Sequence, residues 1–110
     1  MAEQNTGKLV VLVTCGSRAE ARTIAKTVMD ARLAACVNIL GAPIESIYRW
    51  KGEVETASEF LLVMKTTKSR FAKLRDAVLQ AHSYDVPEII ALPIAAGSPN
   101  YIEWIAASVR

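Results

Sequence analysis

Ile44-Glu45-Ser46-Ile47-Tyr48-Arg49-Trp50-Lys51-Gly52-Glu53-Val54-Glu55-Thr56-Ala57-Ser58-Glu59-Phe60-Leu61-Leu62-Val63-Met64-Lys65 is the stretch that decides the fold. Lys51-Gly52 offers a tight turn in which Gly52 is free to take a positive φ, so the stretch reads as a β-hairpin. The returning arm starts near Glu53, passes Ser58 and runs through the apolar residues 60–64 to Lys65. The outgoing arm reaches back to Cys36-Val37-Asn38-Ile39-Leu40. Gly41-Ala42-Pro43 interrupts it, which suits a bulge or an edge because proline cannot donate to a ladder. Each arm spans about 12 residues, against ~5–6 for a usual strand. A ribbon of that length outreaches the core of a small domain, leaving Ile44, Ile47, Tyr48, Trp50 and Val54 wet. A second subunit is the expected cover, with Tyr48, Trp50 and Ile47 as interface anchors. The alternative is a hairpin curled back onto its own sheet.

Outward from the hairpin, Leu9-Val10-Val11-Leu12-Val13 is a continuous apolar run and reads as a central buried strand. Ser17-Arg18-Ala19-Glu20 fits a capping box, in which the hydroxyl and the carboxylate each satisfy a backbone N–H at a helix start. Ala21, Ile24, Ala25, Val28 and Met29 follow at helical spacing, and the helix is expected to reach about Arg32. Thr67 is the expected cap of a second helix carrying Phe71, Leu74, Ala77, Val78 and Ala81 on one face and ending near His82. Ile89 to Ile94 reads as a buried strand. Ser98 as N-cap and Pro99 at the first helical position open a short terminal helix lined by Tyr101, Ile102, Ile105, Ala106 and Val109.

The order is β-α-β-β-α-β plus a C-terminal helix. Leu9–Thr14 and Leu61–Thr66 each lead into a helix and then a strand, a weak internal similarity between the two halves. This is the α+β, split-βαβ, ferredoxin-like pattern: a four-stranded antiparallel sheet with two helices on one face. Its open face is apolar and needs a partner, a second reason to expect an oligomer. Residues 1–7 are expected as a flexible N-terminal tail and residues 8–110 as a single domain.

With 52% hydrophobic and 22% charged residues in 110, a compact globule is expected over a disordered segment. A net charge of +2 without any run of Lys or Arg argues against nucleic-acid binding. No segment approaches the ~18–20 apolar residues of a membrane span. The N-terminus does not resemble a signal peptide, so a cytoplasmic protein with reduced cysteines is expected.

The chemistry-bearing residues gather in Ala81-His82-Ser83-Tyr84-Asp85-Val86-Pro87-Glu88-Ile89, which holds the only histidine, a tyrosine and two carboxylates ahead of a strand. One His and two Cys cannot close a four-ligand zinc site within one chain, so a metal site must draw on carboxylates, water or a second subunit. Walker A, GxGxxG and HExxH patterns are absent, and adjacency of His82, Ser83 and Asp85 does not create a catalytic triad. No enzyme is expected.

Leu33-Ala34-Ala35-Cys36-Val37-Asn38-Ile39 resembles the LAACVNI segment of the CutA divalent-cation tolerance proteins. Ser46 to Val54 is similar to their SIYxWxGxI hairpin, Leu62-Val63-Met64-Lys65-Thr66 to their third strand, and His82 to Ile89 to their HPYEVPEI. The match covers nearly the whole chain after residue 8 in the same order. The resemblance implies a ferredoxin-like subunit in a tight homotrimer with hairpins exchanged between neighbours. It also implies a role in copper and other divalent-metal tolerance, and an architecture like that of PII-type signalling trimers. Ser83 stands where the family usually has proline, which loosens the loop, and Asp85 replaces glutamate on a shorter reach.

The candidate residues each carry two roles. His82 can ligate a metal through a neutral ring nitrogen or cap the end of the second helix. Cys15, at a strand exit before a helix, can bind a soft cation as thiolate or simply pack; Cys36 reads as buried packing. Asp85 and Glu88 supply hard oxygen ligands for a divalent cation. Lys65, Tyr84 and Glu88 can line an inter-subunit cleft for a small anionic ligand, or Lys65 can pair with Glu88 as a structural ion pair.

Overall fold

The computed structural model describes residues 5–110. Its elements are β1 (Lys8–Cys15), α1 (Arg18–Asp30), β2 (Cys36–Ile39), β3 (Ile44–Trp50), β4 (Glu53–Thr67), α2 (Phe71–Ala81), β5 (Ile89–Pro93) and α3 (Pro99–Ser108), with a 3-10 turn at Lys68–Arg70. The mixed α+β fold holds five strands, all paired antiparallel, in the order β2-β4-β1-β5 with β3 continuing along β4.

β4 organises this sheet. Its first half, Glu53–Glu59, pairs with β3, and Phe60–Thr67 pairs with β1 on one edge while Leu62–Lys65 pairs with β2 on the other. The expected outgoing arm is therefore two strands, because the chain leaves the ladder around Gly41-Ala42-Pro43; Leu40 N–H still reaches the Leu61 carbonyl at 3.1 Å. Five strands replace the four expected.

The two faces of the sheet differ. Leu9, Val11, Val13, Cys15, Leu62 and Met64 point toward α1 and α2 and bury against Ala21, Ile24, Val28, Leu74 and Val78. Each large aliphatic buried there contributes roughly 1.5–3 kcal/mol, the main source of stability. Strand alternation sends Val10, Leu12, Val63, Ile90 and Leu92 to the other face. Ile90 and Leu92 are 49% and 47% exposed, so β5 is an edge strand with one wet face and not the buried strand expected of Ile89–Ile94. A continuous apolar run asks for cover on both faces, and one chain supplies it on only one. α3 reaches the Cys36 end of this open face, packing Ile105 and Val109 against Ala35 and Ile94.

Local chemistry accounts for most element ends. Ser17 Oγ accepts the Glu20 N–H at 3.1 Å, forming one half of the expected capping box, while the Glu20 carboxylate is used elsewhere. α1 stops at Asp30, short of Arg32, because Arg32 turns left-handed at φ +59°. Leu33 N–H then reaches Val28 O at 2.9 Å and Arg32 N–H reaches Met29 O at 3.0 Å, a Schellman end. Thr67 does not cap α2: its hydroxyl lies 3.1 Å from that of Ser69, and the 3-10 turn intervenes. Ser98 and Pro99 do start α3, although the Ser98 side chain makes no capping bond.

Of the expected tail 1–7, residues 1–4 lie outside the described residues. Thr6 is already tied down, with its N–H and hydroxyl donating to Ile94 O at 3.1 and 2.7 Å. Gly7 O accepts the Lys68 N–H at 3.0 Å, so both Thr6 and Gly7 are tied to the domain. Among the described residues no helix is long and apolar enough to cross a membrane.

The outer hairpin projects. The radius of gyration is 14.6 Å, against about 13 Å for a compact chain of this length, and Ile47 and Val54 are 66% and 62% exposed. Its tip is a tight turn in which Lys51 (φ +51°) and Gly52 (φ +83°) are both left-handed, the conformation of a type I′ turn. Gly52→Ala is expected to lower stability by about 1 kcal/mol, and Lys51→Asn to raise it by up to about 1 kcal/mol. Urea unfolding of the two variants beside the parent checks both signs.

Candidate functional site

Three segments meet at the end of β1: Thr14 to Ser17, the first turn of α1, and the loop that follows α2. Glu59 joins them from β4, one residue beyond the Cys15–Phe60 pair that ends the β1 ladder. α2 stops because His82 takes an extended backbone (φ −93°, ψ 143°), which drops its ring onto β1.

The His82 side chain is fully buried. Its Nε2 lies 2.7 Å from Thr14 O, and since a carbonyl only accepts, Nε2–H is the donor. Nδ1 accepts the Tyr84 N–H at 3.1 Å, so the contacts fit the neutral tautomer protonated on Nε2. Glu20 Oε2 stands 3.6 Å from Nδ1 and accepts the Ser83 N–H at 2.7 Å. Burial works against ionising Glu20, but the Ser83 bonds outweigh it and hold the carboxyl below its ordinary range.

The Tyr84 ring packs 4.7 Å from the His82 ring, and its hydroxyl donates to Glu59 Oε2 at 2.9 Å. Glu59 is only 8% exposed, so this bond satisfies a carboxylate that water scarcely reaches. Burial first, and then the Glu59 acceptor, push the Tyr84 hydroxyl well above its usual pKa. Gly16 leaves room for this approach: a Cβ there would stand 3.3 Å from the Tyr84 oxygen and press on it.

The arrangement is a latch. It fastens the base of the hairpin to α1 and to the loop after α2, and it commits both His82 nitrogens within the chain. A cation at His82 would have to displace the Thr14 carbonyl or the Tyr84 N–H. Cys15 is buried beside it, with its thiol donating to Ser17 O at 3.5 Å; burial raises its pKa and outweighs the lowering effect of the Ser17 backbone, so it stays a thiol.

The other candidates are dispersed. Asp85 and Glu88 are exposed on the loop leading into β5. Cys36 is half-buried on the open sheet face, 3.8 Å from the Tyr101 hydroxyl. Lys65 is on that same face and donates to Asn38 Oδ1. Lys65 lies opposite Val10 and Ile89 opposite Val13, so Glu88 sits roughly 13 Å further along the sheet and on the far side of β1. No Lys65–Glu88 pair forms, and Lys65, Tyr84 and Glu88 do not meet within one chain. Among the described residues no three His, Cys, Asp or Glu side chains converge to hold a metal ion. Thr14, Glu20 and Glu59 were the unforeseen members of the corner; only Glu59, an acid at the head of an apolar strand run, carried a local signal.

Residues 9–108 match the family described as the CutA1 divalent ion tolerance protein. The chain belongs to this family. A divalent-cation tolerance protein CutA from Thermus thermophilus is 53% identical over 96 residues, covering 87% of this chain and 92% of the relative. The chloroplastic CutA of Arabidopsis thaliana is 46% identical over 102 residues, which cover 93% of this chain but 56% of the plant protein. Among solved structures, the CutA of Archaeoglobus fulgidus, described as a periplasmic divalent cation tolerance protein, superposes with a TM-score of 0.89 at 41% identity and covers 94% of this chain and 99% of that one. These names place relatives in more than one compartment.

For this CutA-family chain the latch makes an acid-sensitive contribution to stability. Glu20 has a folded pKa below its unfolded value of ~4.3, so its contribution is present above that pH and lost as pH falls through the folded value. Glu20→Gln is expected to cost about 1–2 kcal/mol at neutral pH, with the gap to the parent closing below about pH 4. Urea midpoints from pH 7 to 3 measure this. Tyr84→Phe is expected to cost about 1–3 kcal/mol by stranding the Glu59 carboxylate, read from the same unfolding curves.

Proposed function

We propose that this chain acts as a homotrimer in divalent-cation tolerance, copper among the cations, and holds the cation between subunits. The observation that carries the proposal is the division of donors: His82 is spent inside the latch, whereas Asp85 and Glu88 stand free on the surface of the same loop. Two carboxylates suit a hard divalent ion but leave its shell incomplete, and a neighbouring subunit is the natural source of the remainder. The family match and the names of its relatives support the cation role.

The trimer is supported by the uncovered face of Val10, Leu12, Val63, Ile90 and Leu92, and by the wet hairpin with Ile47, Tyr48 and Trp50. The strand order β2-β4-β1-β5 with α1 and α2 on one face fits a ferredoxin-like split βαβ. The role proposed is binding without catalysis, in the cytoplasm, where the free Cys15 and Cys36 stay reduced. A PII-like trimer that binds a small anion is the rival. Lys65 favours it, since this half-buried ammonium has Asn38 as its partner on the face awaiting a neighbour, whose Tyr84 and Glu88 would complete a cleft.

Calorimetric titration of the metal-free, reduced protein with Cu(II), and anaerobically with Cu(I), separates the two. Saturable uptake at a whole number of ions per trimer is expected, weakened roughly tenfold or more in Asp85→Asn/Glu88→Gln. His82→Ala is expected to lower stability more than affinity. Absence of saturable uptake would remove the cation proposal and turn attention to anions and Lys65→Ala.

A further inference from the structure

At the opposite end of β1, roughly 23 Å from the latch, a groove of about 380 Å³ runs between the turn that opens α2 and the last turn of α3. Thr67, Ser69, Arg70 and Lys73 form one wall, and Val109 and Arg110 the other. Three of the lining side chains are cationic and none is a carboxylate, in a chain whose entire net charge is +2.

Among the described residues this concentration of charge is only weakly offset. Arg70 and Lys73 are three residues apart and share a face at the start of α2, where like charges repel. Among the described residues neither has an ion-pair partner. Arg110 has Glu103 at 3.9 Å, but both are about 70% exposed and such a pair contributes little. Arg70 is nevertheless held in place: its Nε donates to Val109 O at 2.8 Å, which leaves both Nη groups free as a preset fork. The Thr67 and Ser69 hydroxyls bond each other at 3.1 Å, so one hydroxyl hydrogen of the pair remains to be donated.

We propose that this groove binds the phosphoryl group of a small phosphorylated metabolite. The Arg70 fork grips two phosphoryl oxygens, Lys73 and Arg110 supply point charge, and the free hydroxyl hydrogen meets a third oxygen. The half-buried Ala106 offers a small apolar surface to the uncharged part of the ligand, and the volume lies in the lower range for small-molecule sites. The site is separate from the surface carboxylates proposed for the cation, and it is complete in one subunit.

The test is an NMR titration of the full chain with inorganic phosphate and with pyrophosphate, against chloride at matched ionic strength. Saturable shifts confined to residues 67–73 and 106–110 are expected, with pyrophosphate the tighter ligand. Arg70→Gln and Lys73→Gln are each expected to weaken binding roughly tenfold, whereas the exposed Arg22→Gln, which removes the same charge elsewhere, leaves it unchanged. The Lys73 side chain is exposed and makes no hydrogen bond among the described residues, so Lys73→Gln decides the matter should Arg70→Gln fail to fold. Shifts that do not saturate, that chloride reproduces, or that survive Lys73→Gln would mean an adventitious ion only and overturn the proposal. Equal loss in Arg22→Gln would reduce the effect to net charge and overturn it too.

Discussion

The backbone of β4 needs partners along fifteen residues, and that need organises the chain. Where β4 crosses the core it has β1 on one edge and β2 on the other. Beyond Phe60 it has β3 alone, and the two strands leave the globule together. A paired ribbon with apolar side chains and no helix to cover it is marginal by itself in water. The same holds for the sheet face that carries Ile90 and Leu92. One subunit thus satisfies half of its apolar demand, and the assembly proposed above satisfies the rest.

The latch stands where the ribbon departs from the core. Glu59 is the residue of β4 at which the sheet becomes two-stranded, and Tyr84 holds it from the loop after α2. His82 in turn hangs that loop from the Thr14 carbonyl, and Glu20 ties it to α1. Buried polar groups of this kind stabilise only when every member is satisfied, and no buried side-chain nitrogen or oxygen among the described residues lacks a partner. The sole histidine is thus committed to the latch, and the proposed cation site falls to Asp85 and Glu88 instead.

Features set by neighbouring residues were legible in the sequence. The Lys51-Gly52 turn, the Ser17 cap and the Ser98-Pro99 helix start each follow from chemistry within a few positions. Features set by packing were less so. The interruption at 41–43 was visible, but only pairing with the continuous β4 makes it a division into two strands. Thr67 looks like a cap in isolation, yet Ser69 takes its hydroxyl. The apolar run 89–94 records two faces that need burial without saying that a single chain leaves one bare. The corner was legible only as a cluster of residue types around His82. Its partners Thr14, Glu20 and Glu59 lie 25 to 68 residues away along the chain, and Glu20 was already accounted for by a helix cap that it does not complete.

The claim on which this account rests is that the open sheet face is covered by further copies of the chain. Sedimentation equilibrium of the parent and of Ile90→Asp/Leu92→Asp tests it most directly, since both side chains sit on that face and outside the core of the single subunit. The account predicts three copies for the parent across the micromolar range, and dissociation to monomers in the variant. A parent that sediments as a stable monomer, with the variant unchanged in mass and unfolding temperature, would contradict it.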